Sequence, residues 1–126
     1  MVSPIYAALL TLLLITLAFK VISLRRKHRI SIGNGGNQDL AAARAAMSNA
    51  SEYIPIFLIL LFSFEYLSQS PLFTHLIGSI FIIGRCMHAF AISNHTLQAR
   101  FWGMILTFSC LVVLAVAAFF LVFINR

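Results

Sequence analysis

Four stretches of mostly apolar residues follow one another along the chain, separated by short polar connections. A helix that crosses a bilayer needs about 20 apolar residues, and the four stretches together occupy nearly all of the 126 residues. The pattern therefore predicts an all-α fold, a single domain that forms a four-transmembrane-helix bundle. The predicted helices cover residues 3–24, 39–67, 72–92 and 100–124.

The second predicted helix differs from the others because its first half is small and polar. Residues 41–51 consist mainly of Ala, Ser and Asn, with Arg44 among them. Small residues allow helices to approach each other closely in a membrane, so we expect this half to be buried in protein and not to face lipid. Pro55 in the second half is expected to kink the helix. Glu65 near its far end is expected to reach the opposite headgroups.

Composition and charge indicate an integral membrane protein. The chain is 61% hydrophobic and 10% charged, whereas a soluble domain is about 45–50% apolar and about 25% charged. The net charge of +6 is local, since residues 20–29 hold five of the nine Lys and Arg residues. Such a cluster is typical of a cytoplasmic loop, and this argues against a nucleic-acid partner. Attraction to the anionic lipids of the bilayer follows from the same cluster.

The distribution of positive charge also predicts the orientation of the chain in the membrane. The loop at residues 68–71 contains no Lys or Arg, whereas the connection before the fourth helix contains His95 and Arg100. Both termini should therefore lie outside the cytoplasm, with the first and third loops inside. Residues 1–19 are predicted to be an uncleaved first helix, because their positive charges follow the apolar run instead of preceding it.

Metal and disulfide chemistry are not predicted. The four histidines show neither H-x-x-x-H nor H-E-x-x-H spacing, so no metal site is expected. Cys86 and Cys110 both fall in apolar segments and are expected to be small packed thiols.

Polar residues of three helices are predicted to lie at one depth, near the cytoplasmic side: Asn49, Glu52, Arg85, His88 and Arg100. An arginine within a span needs a carboxylate or a water-filled cavity, and Glu52 is the expected partner of Arg85. One interpretation is an ion pair that only joins helices two and three. His88 is open to three interpretations, a ligand, a proton carrier or a core residue, and a lone histidine in an apolar helix is most often a core residue.

The other interpretation is a site for a small anion. Arg44, Arg85 and Arg100 offer positive charge, Asn49 offers an amide, and Glu52 is able to accept an ammonium group. A small zwitterion with more than one carboxylate suits this set. A nearby arginine also stabilises a thiolate, the form of a thiol that attacks electrophiles.

These residues resemble the MAPEG family, the membrane-associated proteins in eicosanoid and glutathione metabolism, and in particular its small bacterial inner-membrane members. The resemblance covers residues 21–104, in the order found in the family. It rests on five motifs: Val21-Ile22-x-Leu24-Arg25, Gly33-Asn34-Gly35-Gly36 with Leu40, Asn49-Ala50-x-Glu52-Tyr53-Ile54-Pro55, Gly84-Arg85-x-Met87-His88 and Arg100-x-x-Gly103-Met104.

The resemblance implies a homotrimer that binds glutathione, as a co-substrate, between subunits on the cytoplasmic side. It implies transferase or peroxidase activity on small lipophilic electrophiles. By position, Asn49, Glu52, Arg85 and His88 would line the pocket, and Arg100 would activate the thiol. The chain departs from the family pattern at Ala45 and Met47, where members commonly have Arg and His, and Arg44 is one place from the first of these.

Two further hypotheses belong to other functional classes. The first is a trimeric membrane scaffold or binding protein that has lost catalysis. The second is a small transporter, which is less well supported because four helices show no convincing internal repeat. Glutathione binding with thiolate formation would separate the enzyme from the scaffold, and flux in a reconstituted system would identify the transporter.

The predicted orientation is open to a direct test by cysteine labelling. In a Cys86→Ser, Cys110→Ser background, Asn34→Cys should be protected from an impermeant thiol reagent in intact cells, and Ser70→Cys should react. This expectation follows from the basic residues at 20–29 and their absence at 68–71. Labelling at position 34 with protection at position 70 would reverse the orientation.

Overall fold

The computed structural model describes residues 1–125, and within them every regular element is an α-helix. The helices are α1 (Ser3–His28), α2 (Gln38–Ser68), α3 (Pro71–Ser93) and α4 (Leu97–Ile124). All four are long and apolar enough to cross a membrane. The prediction of an all-α protein with four transmembrane helices is therefore confirmed.

The helices extend beyond the predicted limits at several ends. α1 continues to His28 instead of ending at residue 24, and its last turn consists of basic residues. Cations in that position interact favourably with the negative end of the helix dipole, so the charged segment continues the helix. α4 begins three residues before the predicted residue 100, at Leu97.

A glycine-rich loop joins α1 to α2. Gly33, Gly35 and Gly36 all have positive φ values, which glycine adopts without the steric cost of a Cβ atom. Arg25 holds the loop, because its Nη1 donates to the Gly33 carbonyl oxygen at 2.9 Å. Asn37 then caps α2 by accepting a backbone N–H of the first turn at 2.8 Å. A cluster of glycines is typical of a turn, and this cluster forms the turn between α1 and α2.

The apolar core lies between the helices and contains stacked aromatic rings. Phe57 of α2 and Phe81 of α3 are fully buried, and their ring centroids lie 3.5 Å apart with the planes nearly parallel. Leu10, Leu61 and Leu114 are also fully buried in the protomer. Many other large apolar side chains are exposed on the outside of the bundle. In a bilayer this surface faces lipid, so its exposure carries no cost.

A polar contact joins α1 to α3 within this apolar setting. The hydroxyl of Tyr6 donates to the His75 carbonyl oxygen at 2.9 Å and lies 2.9 Å from His75 Nδ1. The Tyr6 ring fits because residue 78 is glycine; a Cβ atom there would lie 2.5 Å from the ring. The tyrosine therefore packs against the backbone of α3 and still satisfies its hydroxyl group.

Glu65 near the end of α2 makes a contact that the sequence did not predict, with the start of α1. Its carboxylate is buried and accepts hydrogen bonds from the backbone N–H groups of Val2 and Ser3 and from the Ser3 hydroxyl. The first N–H groups of a helix have no partner within the helix, and its N-terminus attracts negative charge. Glu65 therefore joins α2 to the start of α1.

The small-residue half of α2 has two different faces. Ala43, Ala46 and Ala50 are buried within the protomer, where their size allows close helix contact as predicted. The opposite face is exposed in the single chain and carries polar side chains: Arg44, Ser48, Ser51 and Glu52. The predicted burial of this segment in protein is therefore seen for only one of its faces within the protomer.

We expect Glu65→Gln to lower the free energy of unfolding by about 1–3 kcal/mol, because a buried charged acceptor of three hydrogen bonds is replaced. Asp39→Asn is the matched control, since Asp39 is exposed in the first turn of α2 and should contribute less than about 1 kcal/mol through the helix dipole. Denaturant unfolding in detergent micelles measures both values. Equal effects of the two substitutions would contradict a stabilising role for the hydrogen bonds between Glu65 and the start of α1.

Candidate functional site

The guanidinium group of Arg85 lies at the junction of three helices. The residue is 1% exposed on α3. Its Nη2 donates to Asn49 Oδ1 of α2 at 2.6 Å, and its Nη1 donates to Thr107 Oγ1 of α4 at 3.4 Å. One side chain therefore connects α2, α3 and α4.

Two glycines allow α3 and α4 to cross closely beside this arginine. A Cβ atom at Gly103 would lie 2.9 Å from the Gly84 carbonyl oxygen and 3.0 Å from His88 Cβ. Such distances are too short for a side chain, so the crossing requires glycine at this position. The glycines of the two sequence motifs thus have a packing role, and they determine where His88 lies.

The hydrogen bonds around Arg85 orient its partners. The Thr107 hydroxyl donates to the Gly103 carbonyl oxygen at 2.9 Å, which leaves its lone pairs free to accept from Arg85. The amide nitrogen of Asn49 faces the Met104 sulfur at 3.7 Å, so its oxygen faces the guanidinium. Each polar partner therefore presents an acceptor to the cation.

Thr107 and Met104 were not predicted from the sequence to belong to this cluster. A signal was present in their spacing, because Met104 lies four residues and Thr107 seven residues after Arg100. Residues separated by one and two turns share a helix face. A search of α4 for polar or sulfur-containing side chains on the face of Arg100 would have found both residues.

Glu52 is not the partner of Arg85, which corrects the prediction made from the sequence. Its carboxylate is exposed and accepts a hydrogen bond from the Ser48 hydroxyl at 3.3 Å. Within the described residues, Glu52 makes no ion pair. A step of three residues from Asn49 rotates the side chain by about 60° around the helix axis, which takes Glu52 out of the protomer interior.

The cluster is consequently a buried cation among neutral groups. Its hydrogen-bond acceptors are an amide and a hydroxyl oxygen. Arg85 Nε and His88 Nδ1 are buried and have no hydrogen-bond partner in the described part of the chain. Buried polar groups normally have partners, so these two atoms represent unused capacity for a hydrogen bond.

The other predicted site residues lie on the protomer surface. Arg44 is exposed on α2, on the same face as Glu52. Arg100 is exposed at the rim of a cleft of about 330 Å³ that Ala45 and His95 also line. The fold therefore brings Asn49, Arg85 and His88 together and leaves Glu52, Arg44 and Arg100 outside the buried cluster.

Chemically, this arrangement favours an anion. The charge of Arg85 is not neutralised by an acidic side chain among residues 1–125, and a low-dielectric interior screens it poorly. The same residues contain no group of three or more His, Cys, Asp or Glu side chains placed to hold a metal ion.

Comparison with known proteins gives a consistent assignment. A model of the MAPEG family matches residues 3–120. The chain is also similar to the inner membrane protein YecN of Escherichia coli strain K12 and to its counterpart in Escherichia coli O6:H1. Each is 34% identical over 117 residues, which cover 93% of this chain and 89% of the relative.

We expect Asn49 and Arg85 to be energetically coupled. Asn49→Ala and Arg85→Met should each destabilise the protein, and the double variant should lose less than the sum, with a coupling of about 0.5–3 kcal/mol. The reason is that either substitution removes the same hydrogen bond, from Arg85 Nη2 to Asn49 Oδ1, so the second substitution has less left to remove. Glu52→Gln combined with Arg85→Met is the control and should be additive. If Glu52 and Arg85 were coupled as strongly as Asn49 and Arg85, the result would support the predicted Glu52–Arg85 ion pair. Denaturant unfolding of the six proteins measures both cycles.

Proposed function

Since the chain belongs to the MAPEG family, we propose that it binds glutathione on the cytoplasmic side of the membrane and conjugates it to small lipophilic electrophiles. The observation that carries this proposal is the buried guanidinium of Arg85, which has only neutral hydrogen-bond partners. Glutathione brings two carboxylates, and this protomer supplies no carboxylate to that cation.

The energetic argument concerns the missing negative charge. Removing a cation from water is expensive unless an opposite charge or a full set of hydrogen bonds compensates it. Arg85 has two acceptors, and its Nε has none. A carboxylate bound at the nearby surface would lie in the positive potential of this guanidinium. Asn49 and His88 adjoin the same cluster and are the candidate residues for hydrogen bonds to the ligand.

Assembly as a homotrimer is the second part of the proposal. The exposed face of α2 carries Arg44, Ser48 and Glu52 at successive turns. Charged side chains within a membrane usually face protein or a water-filled cavity. Neighbouring copies of the chain would cover this face, and the family resemblance implies three copies. Glu52 and Arg44 would then lie between subunits, able to meet the ammonium and carboxylate groups of glutathione.

Arg100 is the candidate catalytic residue. It is exposed near the start of α4, and its side chain has no hydrogen-bond or ion-pair partner among the described residues. Its positive charge would stabilise the glutathione thiolate after the thiol proton passes to water. The sulfur electron pair then forms the C–S bond with the electrophile, and the leaving group departs with the electron pair of the bond that breaks.

A membrane scaffold is the second candidate, and two observations favour it. Arg85 already has a structural task, because it joins α2 and α4 through Asn49 and Thr107. Ala45 and Met47 occupy positions where the family commonly has Arg and His. In this case the bundle and its assembly would persist without glutathione chemistry.

We expect Arg100→Ala to reduce the glutathione thiolate fraction and conjugation of a test electrophile by about tenfold, since ~1.4 kcal/mol of charge stabilisation corresponds to that factor. The melting temperature should change little, because Arg100 is exposed. Ultraviolet difference absorbance measures the thiolate. Arg29→Ala, an exposed cation of the first loop, is the matched control and should retain both signals.

The unmutated protein decides between the two candidates. Glutathione binding and thiolate formation in a complex that native mass spectrometry shows to be trimeric would support the enzyme. A trimer that binds no glutathione would support the scaffold. In that protein, Ala45→Arg with Met47→His would test for a decayed pocket. A gain in glutathione affinity would indicate that a site had been lost, and no gain would favour a scaffold alone.

A further inference from the structure

A separate small cavity lies at the junction of α1, α2 and α3, and none of the residues proposed to bind glutathione lines it. It measures about 190 Å³, and its polar lining consists of Lys20 of α1, Asp39 of α2 and Ser93 of α3. Ser93 is the last residue of α3, so the cavity lies level with the end of a membrane-spanning helix, on the side of the basic first loop. The ends of spanning helices lie near the head groups of the bilayer.

The cavity contains two opposite charges that do not pair with each other. Lys20 and Asp39 both line it and are both exposed, yet no ion pair joins them within residues 1–125. An ammonium and a carboxylate that share a cavity without direct contact suit a ligand that itself carries an anionic and a cationic group. A purely anionic ligand would be attracted by Lys20 and repelled by Asp39.

Lys20 and Ser93 retain hydrogen-bond donors for a ligand. Lys20 Nζ donates to Ser93 Oγ at 2.6 Å, which uses only one N–H group of the ammonium. The Ser93 hydroxyl accepts this bond, and its own hydrogen has no acceptor among the described residues. Two adjacent donors, one of them charged, are suitable partners for the oxygen atoms of a phosphate group.

Exposed aromatic side chains flank the cavity on the side of the membrane centre. Phe19 of α1 and Phe90 of α3 are each 65% exposed. They precede Lys20 and Ser93 on helices that both run towards the first loop, so they lie deeper in the bilayer than the cavity. Acyl chains are able to pack against these rings, whereas a ligand without apolar chains gains nothing from them.

We propose that this cavity binds the head group of an aminophospholipid, phosphatidylethanolamine, from the leaflet beside the first loop. The phosphate interacts with Lys20 and Ser93, the ammonium group interacts with Asp39, and the acyl chains pack against the exposed aromatic rings. Pockets for whole small molecules typically measure about 300–1,000 Å³. The smaller cavity therefore suits a head group whose chains remain in the bilayer. Binding requires neither glutathione nor a second subunit.

Native mass spectrometry of the delipidated, glutathione-free protein tests this specificity. The probes are dioleoyl phosphatidylethanolamine, dioleoyl phosphatidylcholine and dioleoyl phosphatidylglycerol, which differ only in the head group. Phosphatidylethanolamine should bind with a Kd about tenfold lower than either of the others, which corresponds to ~1.4 kcal/mol. The reason is that choline has no N–H group to donate to Asp39, and glycerol has no positive charge. Phosphoethanolamine, which lacks acyl chains, should not displace the lipid at equal concentration.

Three variants and two controls locate the binding site. Lys20→Gln should raise the Kd of both phosphatidylethanolamine and phosphatidylcholine about tenfold, because it removes the cation that meets the phosphate. Asp39→Asn should abolish the preference between these two lipids. Ala42→Leu fills the cavity and should weaken the binding of phosphatidylethanolamine. Lys27→Gln and Ala8→Leu, both at exposed positions of α1 outside the cavity, are the matched controls and should leave every Kd unchanged. The two charge variants decide the test if Ala42→Leu does not fold, because residues 20 and 39 are exposed.

Equal Kd values for the three lipids, tighter binding of phosphatidylglycerol, or a preference for phosphatidylethanolamine that persists in Asp39→Asn would each overturn the proposal. Equal effects of Lys20→Gln and Lys27→Gln would also overturn it, as would displacement of the lipid by phosphoethanolamine at equal concentration. The glutathione measurement is separate from this test. A protein that binds glutathione without selecting phosphatidylethanolamine would retain the proposed function and lose this inference. A protein that selects phosphatidylethanolamine but does not bind glutathione would do the reverse.

Discussion

The burial of Arg85 is the constraint on which the arrangement of α2, α3 and α4 depends. A guanidinium that is 1% exposed requires acceptors from its surroundings, and here they come from α2 and α4 through Asn49 and Thr107. Those acceptors are within reach because Gly84 and Gly103 let α3 and α4 cross with almost no side chain between them. The cation and the glycine crossing are therefore two parts of one arrangement.

The opposite end of the bundle also contains a buried charged group that needs hydrogen-bond partners, in this case a carboxylate. Glu65 is buried there and is satisfied by the N–H groups at the start of α1 and by the Ser3 hydroxyl. The two ends differ in one respect that bears on function. The carboxylate of Glu65 accepts hydrogen bonds at the N-terminus of α1, where the helix dipole also stabilises its negative charge. Arg85 has only neutral acceptors, and its Nε has no hydrogen-bond partner in the described residues. The buried charge without an oppositely charged partner in the described residues therefore lies at the Arg85 end.

A single protomer accounts for only part of the polar surface at that end. The buried cluster is complete within one chain, whereas Arg44 and Glu52 are exposed on α2 outside it. A polar helix face is costly in lipid, and this physical argument connects the exposed side of α2 with self-association.

The sequence by itself determined the helix content, the turn at the glycine cluster and the convergence of Asn49, Arg85 and His88, because hydropathy and helical periodicity act locally along the chain. It did not determine which group satisfies Arg85 or what Glu65 does. Those outcomes depend on the rotation of each helix about its axis and on which helix end lies beside which carboxylate. A rotation of about 60° separates the predicted partner Glu52 from the observed partner Asn49. Only the packing of α2 against α3 and α4, with glycines at the crossing, decides that angle.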